Sequence, residues 1–580
     1  MGSLLTSGAV SGVVPAAVGP SDDSAVAALV ATDGSATATA VIKRGSGSFR
    51  SVNVRDYGAV PAGSGGTPDA TNAIQSAIDA VAVLGGGEVV VDDSYWVTAH
   101  VPGTPGHAMG DTGGIGLKDG IHLRFTAKGE LKVIPNGEPV YNCVRIYDKS
   151  SVRVSGPGRI TGDLPSHTGS DSNGEWGYGI AIVGGTNISI EDVTITSMWG
   201  DGIDVNIVPG SGKLPKSIRV SNVTCDGNRR QGMSIEAGDG ILVTNSRFIN
   251  TGASRGTLPS NGIDIEPAQH SYQCSSIEIR SCRFEANAGF GCSVYMAGTR
   301  DVLVDSCEFV DNKGDHQFIV SESAGANVRL TRSRFTGTAK QCVTIAGGLG
   351  RVITDNFFDR RVQVSYNSAK NVAKNVVIAR NRFLVNATDV ISGLVEVNQH
   401  AVFTEILDNH FEHQGTRGSG VLVRYAGTQD PAYPLQHVKV ERNTFVNTSN
   451  AVIAGDTLQL NIVDNTIHAC ASDAINLAPA HGVVVRGNRI TGANLVSGSA
   501  AIHLTAGTTD TTIEGNRIEK DPAVTVTETR RGTHAYAFDW AAISNTIIRN
   551  TDLIGGQQWH FQLPTSRTGC YFETVPGTWV

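Results

Sequence analysis

The chain has 580 residues, of which 69 are Gly, and carries a formal net charge of -8 with 17% charged residues. This acidic balance without basic clusters argues against nucleic acid or an anionic membrane as the main partner, because either would require Lys and Arg to meet the phosphates. No run of 18 or more apolar residues predicts a membrane span. The first seven residues contain no Lys or Arg, so no convincing signal peptide is predicted.

Residues 1–48 are rich in small residues and contain no aromatic residue before Phe49. Such a segment cannot form a core alone, so it is predicted to be an arm, an attachment segment or a linker. Within it, the polar run 21–24 precedes the apolar run 25–31, which predicts a short N-capped helix.

At residue 52 the pattern changes. Residues 54–59 read as a strand and turn, residues 69–79 as a helix with Ile74 and Ile78 on one face, and residues 85–91 as a glycine-rich loop and a strand. This stretch resembles the entry segment of the pectate-lyase-like right-handed β-helix superfamily, which includes polysaccharide lyases, glycosidases and phage tailspikes. The resemblance implies an all-β right-handed parallel β-helix, with an entry cap over residues 49–101 whose helix covers the open end of the solenoid.

The body of the chain repeats a small or polar residue followed two places later by Phe or Ile. Seven consecutive members of the polar column are Asn: Asn356, Asn381, Asn409, Asn443, Asn465, Asn488 and Asn516. Stacked Asn side chains bond along a solenoid axis, so the column predicts a buried amide ladder with one rung per coil. The β-helical body is predicted over residues 49–529, and residues 530–580, which contain Trp540, Trp559 and Trp579, are predicted to form a closing coil and an aromatic-rich cap.

The nine Cys follow no zinc-site spacing. Cys282 and Cys307 each lie two residues before a Phe, at equivalent positions of two coils. They are therefore predicted to be small buried apolar residues.

Three phrases, at residues 199–205, 229–236 and 261–267, each place a glycine before a short alternating strand. Side chains alternate between the two faces of a strand, so the Ile, Val and Met residues face a core and the intervening polar residues face outward. Rungs of a parallel sheet lie about 4.8 Å apart, which predicts carboxylates at the spacings that glycosidases use. The alternative interpretation is a solvated face that carries acids only because it is wet.

The predicted site has a catalytic set and a substrate-binding set. Asp264 or Glu266 is predicted to be the general acid and Asp204 or Glu236 the base or nucleophile, with Arg230 and Trp199 in sugar binding. The catalytic set comprises Asp201, Asp204, Glu236, Asp264 and Glu266, and the binding set comprises Trp176, Trp199, Glu175, Arg229, Arg230, His270 and Tyr295. Residues 200–204, Gly-Asp-Gly-Ile-Asp, resemble the Asp-bearing strand of polygalacturonase-like glycosidases. Because that family's Gly-His-Gly and Arg-Ile-Lys are absent, the resemblance implies a carboxylate site only.

The resemblances imply a phage tailspike-like depolymerase that cleaves glycosidic bonds of a bacterial surface polysaccharide, whether capsule, exopolysaccharide or cell-wall glycan. They also imply a homotrimer in the virion tail or the extracellular space, with the N-terminal arm on the phage tail or baseplate. Hydrolysis without a metal ion is preferred to elimination, because several carboxylates repel a uronate unless Ca²⁺ intervenes. Two alternatives stay open: a polysaccharide lyase or epimerase of the same fold, with Ca²⁺, and a non-catalytic glycan-binding tail fibre.

Overall fold

The computed structural model describes residues 24–28, 39–44, 50–100, 113–172, 174, 176–267, 269, 271–321, 325–364, 372–386, 392–415, 417–424, 435–493, 495–496, 500–519, 536–538, 543–549, 552–554, 567–575 and 578–579. These residues fall into two compact units, 1–229 and 230–580. The predicted boundaries near residues 48 and 529 differ from this division and stay predictions.

The first unit begins with a hairpin rather than the helix predicted over residues 25–31. Ser24–Ala28 pairs with Thr39–Arg44 in the antiparallel direction. An isolated helix of seven residues is marginal in water, whereas pairing gives the backbone groups of Ser24–Ala28 partners on the neighbouring strand. The helix prediction is therefore wrong for the part of this segment that the structure describes.

The predicted entry helix is confirmed at Thr71–Val83, and its buried face includes Ile74 and Ile78. Two short 3₁₀ turns, Val54–Tyr57 and Ala62–Ser64, precede it. The helix also covers a strand edge: the Gln75 amide donates to the Gly116 carbonyl at 3.1 Å and accepts from the Gly116 N–H at 2.9 Å. The exposed edge of a sheet is thereby paired by a side chain.

In each unit the chain visits three parallel sheets, named A, B and C in the order in which the chain enters them. In the first unit, sheet A comprises Arg50–Asn53, Gly87–Val91, Ile121–Phe125, Ser150–Ser155, Thr186–Glu191 and Lys216–Ser221. Sheet B comprises Ser94–Val97, Glu130–Val133, Arg159–Thr161, Thr194–Thr196 and Thr224–Asp226. Sheet C comprises Ile115–Gly116, Val140–Tyr147, Trp176–Val183 and Ile203–Asn206, and a 3₁₀ turn lies at Leu164–Ser166.

The second unit repeats the same order. Its sheet A comprises Gly238–Thr244, Cys274–Arg280, Thr299–Asp305, Val328–Thr331, Gly348–Thr354, Ala373–Ala379, Ala401–Leu407, Gln436–Glu441, Thr457–Val463, Ala480–His481, Val484–Arg486, Thr509–Glu514, Ile543–Arg549, Arg567–Thr568 and Tyr571–Val575, and Thr578–Trp579 adds an antiparallel strand. Sheet B comprises Arg247–Ile249, Arg283–Glu285, Glu308–Val310, Arg334–Thr336, Phe357–Phe358, Arg382–Val385, His410–His413, Thr444–Val446, Thr466–His468, Arg489–Thr491, Arg517–Glu519 and Asp552–Ile554. Sheet C comprises Gln231–Ile235, Asn261–Ile265, Cys292–Val294, His316–Val320, Gln341–Ile345, Arg361–Val364, Gly393–Val397, Ser419–Arg424, Val452–Gly455, Ile475–Leu477, Ile502–Leu504 and Tyr536–Phe538.

The predicted amide ladder is present between sheets A and B of the second unit. Each Asn side chain from Asn356 to Asn488 donates to the side-chain oxygen of the next Asn, at 2.9–3.1 Å. The same oxygen accepts the backbone N–H of the preceding Asn, so the side-chain amides from Asn356 to Asn488 are bonded within the protein. The ladder therefore fixes the register of successive coils.

Aromatic rings stack beside the ladder, inside the solenoid. Consecutive Phe rings in this column lie 4.3–5.7 Å apart, and all are buried. The column continues beyond Ile518, because Leu553 pairs with Ile518 in register. Of the three Trp predicted to close the cap, Trp540 and Trp559 lie outside the described residues.

The Cys prediction is also confirmed. Eight of the nine Cys are buried and Cys570 is half-buried. Cys282 and Cys307 occupy the same small inward-facing column.

Candidate active site

A pocket of about 270 Å³ opens on sheet C of the second unit. It is lined by Arg230, Ser234, Glu236, Asp264, Glu266, Pro267 and Met296. Three of the five predicted catalytic residues, Glu236, Asp264 and Glu266, therefore share one pocket with the predicted binding residue Arg230.

Two neighbouring rungs hold these carboxylates. Gln231–Ile235 pairs in parallel with Asn261–Ile265, so Ser234 lies opposite Asp264. The two strands approach closely at their starts: a Cβ on Gly232 would lie 2.4 Å from the Gly262 carbonyl oxygen. Gly232 and Gly262 are thus required by backbone packing, and the polar residues after them take up the outward positions.

Asp264 is held in place from both sides. The Gln231 amide donates to its carboxylate at 2.9 Å, and the Ser293 hydroxyl donates at 2.6 Å. The Asn261 side chain donates to the Ser293 hydroxyl at 2.8 Å, which fixes that hydroxyl in turn. Asp264 is only 4% exposed. It is therefore a rigid, oriented carboxylate at the base of the pocket.

Glu266 lies at the mouth of the pocket and is exposed over part of its surface. Its backbone N–H donates to the Ile235 carbonyl at 3.1 Å, which places it level with Glu236 on the neighbouring rung. Partial burial raises the pKa of the Glu266 carboxyl, and the charge of Arg230 opposes this rise. A carboxyl with a raised pKa beside a second carboxylate is the arrangement that keeps a general acid protonated.

The prediction that the outward carboxylates form an exposed surface is wrong for Asp201 and Asp204. Asp204, on Ile203–Asn206 of the first unit, has no exposed surface, and neither has Asp201. The inward prediction for Ile203 and Val205 is confirmed, since both are fully buried. These short Asp side chains lie within the shell of neighbouring residues, whereas in the pocket of the second unit the longer Glu236 is half-buried and Glu266 is exposed.

Trp199 is not available to stack on a sugar ring, contrary to the prediction. It has no exposed surface; the His167 ring stacks on it at 3.7 Å, and the Arg229 guanidinium lies 3.8 Å from its ring centroid. Arg229 is itself buried and donates to the carbonyls of Gly174 and Asp171. Both residues therefore act in the packing of the first unit. This also corrects the prediction that Arg229 binds substrate.

Beneath Trp199 lies a buried polar cluster centred on Asp163. Its carboxylate contacts the His167 imidazole at 2.9 Å and accepts from the Tyr141 hydroxyl at 2.6 Å and from Asn136 at 3.0 Å. The Tyr141 hydroxyl also accepts from the Trp199 backbone N–H at 3.1 Å. Burial and the Asp163 charge raise the pKa of Tyr141 well above its usual value.

The remaining predicted binding residues have different positions. Trp176, at the start of Trp176–Val183, is 39% exposed and can contact a ligand. Tyr295 is half-buried, and its backbone N–H donates to the Ile265 carbonyl, but it is not among the residues that line the pocket. Glu175 and His270 lie outside the described residues.

Sequence reasoning missed Gln231 and Ser293, the two donors that orient Asp264. A signal for Gln231 was present: Gln231 and Asn261 each stand directly before the glycine of their phrase and pair in register. Ser293 continues the Ser234–Asp264 column by one rung, so aligning the strand Cys292–Val294 with the three phrases identifies it.

Within the described ranges, no group of three or more His, Cys, Asp or Glu is placed to hold a metal ion. Among the same residues, no helix combines the length and apolar character needed to cross a bilayer.

Comparison with known proteins agrees with the geometry. The profile of the family described as "Right handed beta helix region" matches residues 165–317 and 432–518. This match, together with the three parallel sheets of each unit, confirms the predicted fold class, a right-handed parallel β-helix.

The proteins that are similar to the chain include two from Bacillus subtilis (strain 168) and one solved structure from Azotobacter vinelandii. The uncharacterized protein YclG is 25% identical over 75% of this chain and 68% of its own length. The SPbeta prophage-derived uncharacterized protein YorA is 28% identical over 35% of this chain and 37% of its own length. The A-module of the mannuronan C-5 epimerase AlgE6 of Azotobacter vinelandii is 17% identical over 77% of this chain and 98% of its own, with a TM-score of 0.44.

Proposed function

We propose that the protein is a phage tail-associated depolymerase that hydrolyses glycosidic bonds of a bacterial surface polysaccharide at the sheet C pocket. The observation that carries the proposal is the set Glu236, Asp264 and Glu266 in one pocket with Arg230, where burial raises the pKa of Glu266. A pair of carboxylates with different protonation states is the basic requirement for glycoside hydrolysis.

In the proposed reaction Glu266 is the general acid and Glu236 the nucleophile. Adjacent rungs lie about 4.8 Å apart, close to the carboxyl separation of about 5 to 5.5 Å used by retaining glycosidases. The Glu236 carboxylate attacks the anomeric carbon, the glycosidic C–O bond breaks, and the Glu266 proton moves to the leaving oxygen. Water, deprotonated by Glu266, then cleaves the glycosyl ester and restores both carboxyls.

The remaining pocket residues position the substrate. Asp264, fixed by Gln231 and Ser293, is suited to accept hydrogen bonds from sugar hydroxyls at a constant geometry. Arg230 supplies a cation for hydroxyl or anionic groups of the polymer. Asp204 is not assigned the role of nucleophile because it has no exposed surface. No metal ion takes part in this scheme.

We also propose that the protein forms a homotrimer in the virion tail and that residues 1–48 attach it to the tail or baseplate. The support is the small-residue composition of that segment and the similarity to YorA, whose name records a prophage origin. Sedimentation of the full chain gives its subunit number directly.

The function is tested on a printed array of purified bacterial capsular polysaccharides, exopolysaccharides and teichoic acids. The glycan that is bound is then incubated with the protein in H₂¹⁸O, and the products are read by mass spectrometry. Hydrolysis predicts oligosaccharides with one ¹⁸O at each new reducing end, in the presence of EDTA as well as in its absence. Unsaturated products without ¹⁸O would show a lyase, and an intact polymer would exclude both cleavage reactions, as expected of an epimerase or a receptor-binding protein.

The site is tested with Glu266→Gln and Glu236→Gln. Each substitution is expected to lower kcat by a factor of about 10² to 10⁴, which is the usual contribution of a general acid or base. The matched control is Glu308→Gln: Glu308 is an exposed carboxylate on sheet B that pairs with Arg283, so its loss should leave kcat unchanged. Full activity of both pocket variants would place the chemistry elsewhere.

A further inference from the structure

A second depression, of about 430 Å³, lies on sheet A of the second unit rather than on sheet C. Two neighbouring columns of outward residues line it over successive rungs. The first column contains Asn375, Phe403, His437 and Gln459, and the second contains Glu405 and Lys439. None of these residues belongs to the pocket on sheet C.

The first column has a left-handed backbone at every rung. Its φ values lie between 50° and 72° from Gly240 through to Asn545. The residues that occupy it are Gly240, Ser276, Asp301, Asn327, Gly350, Asn375, Phe403, His437, Gln459, Gly482, Asp510 and Asn545. Gly, Asn and Asp adopt this conformation at low cost.

Phe403 is the exception in the column. It is the one apolar residue there, at φ 57°, and a bulky side chain is an outlier in the left-handed region. Backbone strain of this kind persists where the side chain serves a purpose. A Phe at this position adds nothing to the core, because its side chain points outward and the residue is 51% exposed.

The ring of Phe403 forms a platform with the next rung. It stacks on the His437 ring at 4.5 Å with an interplanar angle of 9°. Around the platform, Asn375 and Gln459 are exposed amides, and Glu405 and Lys439 add an acceptor and a donor. A flat aromatic surface edged by hydrogen-bonding groups matches a pyranose, which has apolar C–H faces and a rim of hydroxyls.

We propose that this groove is a second, non-catalytic binding site for a polysaccharide chain. The column from Asn375 to Gln459 spans three rung steps, about 14 Å, which is enough for two to three sugar units. The charged groups argue against a second copy of this chain as the occupant, since the centre of a protein interface is depleted of charge. The inference rests on the proposed function only in that the bound polymer is taken to be the one cleaved on sheet C.

The test uses Phe403→Asn, with Phe403→Tyr as the matched control. Asn occupies the same column at Asn327 and Asn375, so the substitution relieves the backbone and should fold at least as well as the parent. Binding is measured by affinity electrophoresis in gels that contain the array-selected polysaccharide. Phe403→Asn should weaken retention at least tenfold, while Phe403→Tyr keeps it. For a short oligosaccharide that fills only the sheet C pocket, kcat and KM should stay unchanged.

Two outcomes would overturn the inference. One is equal retention of Phe403→Asn and the parent protein. The other is a change in sedimentation of Phe403→Asn, which would show that the groove is covered by a second copy. Retention is compared in proteins that also carry Glu266→Gln, so that the proposed cleavage does not consume the polysaccharide. A parent protein that cleaves nothing, together with a loss of retention on Phe403→Asn, would refute the proposed hydrolysis and leave this site standing.

Discussion

The amide ladder makes a quantitative prediction at Asn409, a residue that is 2% exposed. Its side-chain nitrogen donates to the Ile378 carbonyl at 2.8 Å and to Asn443 at 3.0 Å. Its oxygen accepts the backbone and side-chain N–H groups of Asn381 at 2.9 and 3.0 Å. Asn409→Ala removes all four bonds. At about 1 kcal/mol net for each hydrogen bond, the local free energy of unfolding should fall by about 4 kcal/mol.

Hydrogen exchange read by mass spectrometry measures this loss where it occurs. A solenoid loses stability locally, because each coil contacts only its neighbours. About 4 kcal/mol corresponds to roughly a thousandfold loss of amide protection, expected at Asn381 and in the strands Ala373–Ala379 and Ala401–Leu407. The control Asn461→Ala changes an exposed amide of the same unit and should alter stability by about 0.5 kcal/mol or less. If the amide protection factors of Asn409→Ala stay within about threefold of those of the parent protein, the four bonds do not stabilise the coil as proposed.

Three further predictions concern stacking and titration. Phe335 is buried between the ring of Phe309, stacked at 4.3 Å, and the tilted ring of Phe358, so Phe335→Ala should lower the free energy of unfolding in urea by about 3 to 5 kcal/mol. A loss below about 1 kcal/mol would contradict this packing. Burial lowers the pKa of His316 below 6.5, so the unfolded chain takes up the proton first and the stability falls as the pH drops through 6.5. The urea midpoint should therefore change less between pH 7 and pH 5 in His316→Asn than in the parent protein. The same change in both proteins would exclude His316 as the cause. The raised pKa of Glu266 should shift the alkaline limb of the plot of kcat/KM against pH to higher pH. Glu266→Gln should abolish that limb. If the limb persists in Glu266→Gln, another acid produces it.

Most of the fold could be predicted because the sequence repeats its packing. One Asn and one Phe per coil are enough to give the register, and the structure confirms both columns. The short segment at 25–31 could not be predicted correctly, since its apolar run suits either a helix or a strand. Its pairing with Thr39–Arg44 decides between them, and local sequence does not contain that information.

The site was predicted in part. Alternation along the strands placed Glu236, Asp264 and Glu266 on one face, and they line one pocket. Alternation could not reveal that Trp199 would be covered by His167 and Arg229, because burial depends on loops and turns with no periodic signal. The groove at Phe403 was also missed, since an outward Phe reads as an irregularity until the left-handed column around it is known.

The ladder also bears on how such a chain can change over time. Asn409 and Asn443 are 34 residues apart and Asn443 and Asn465 only 22, yet the two amide bonds measure 3.0 and 3.1 Å. The excess residues are accommodated elsewhere in the coil, so the hydrogen bond between successive Asn side chains does not depend on the number of residues in the coil. A whole coil can therefore be duplicated, exchanged or lost between two Asn residues, and loops can lengthen, while the remaining rungs join with the same bonds. Such a scaffold allows surface loops to diversify rapidly while the axis that carries them stays constant.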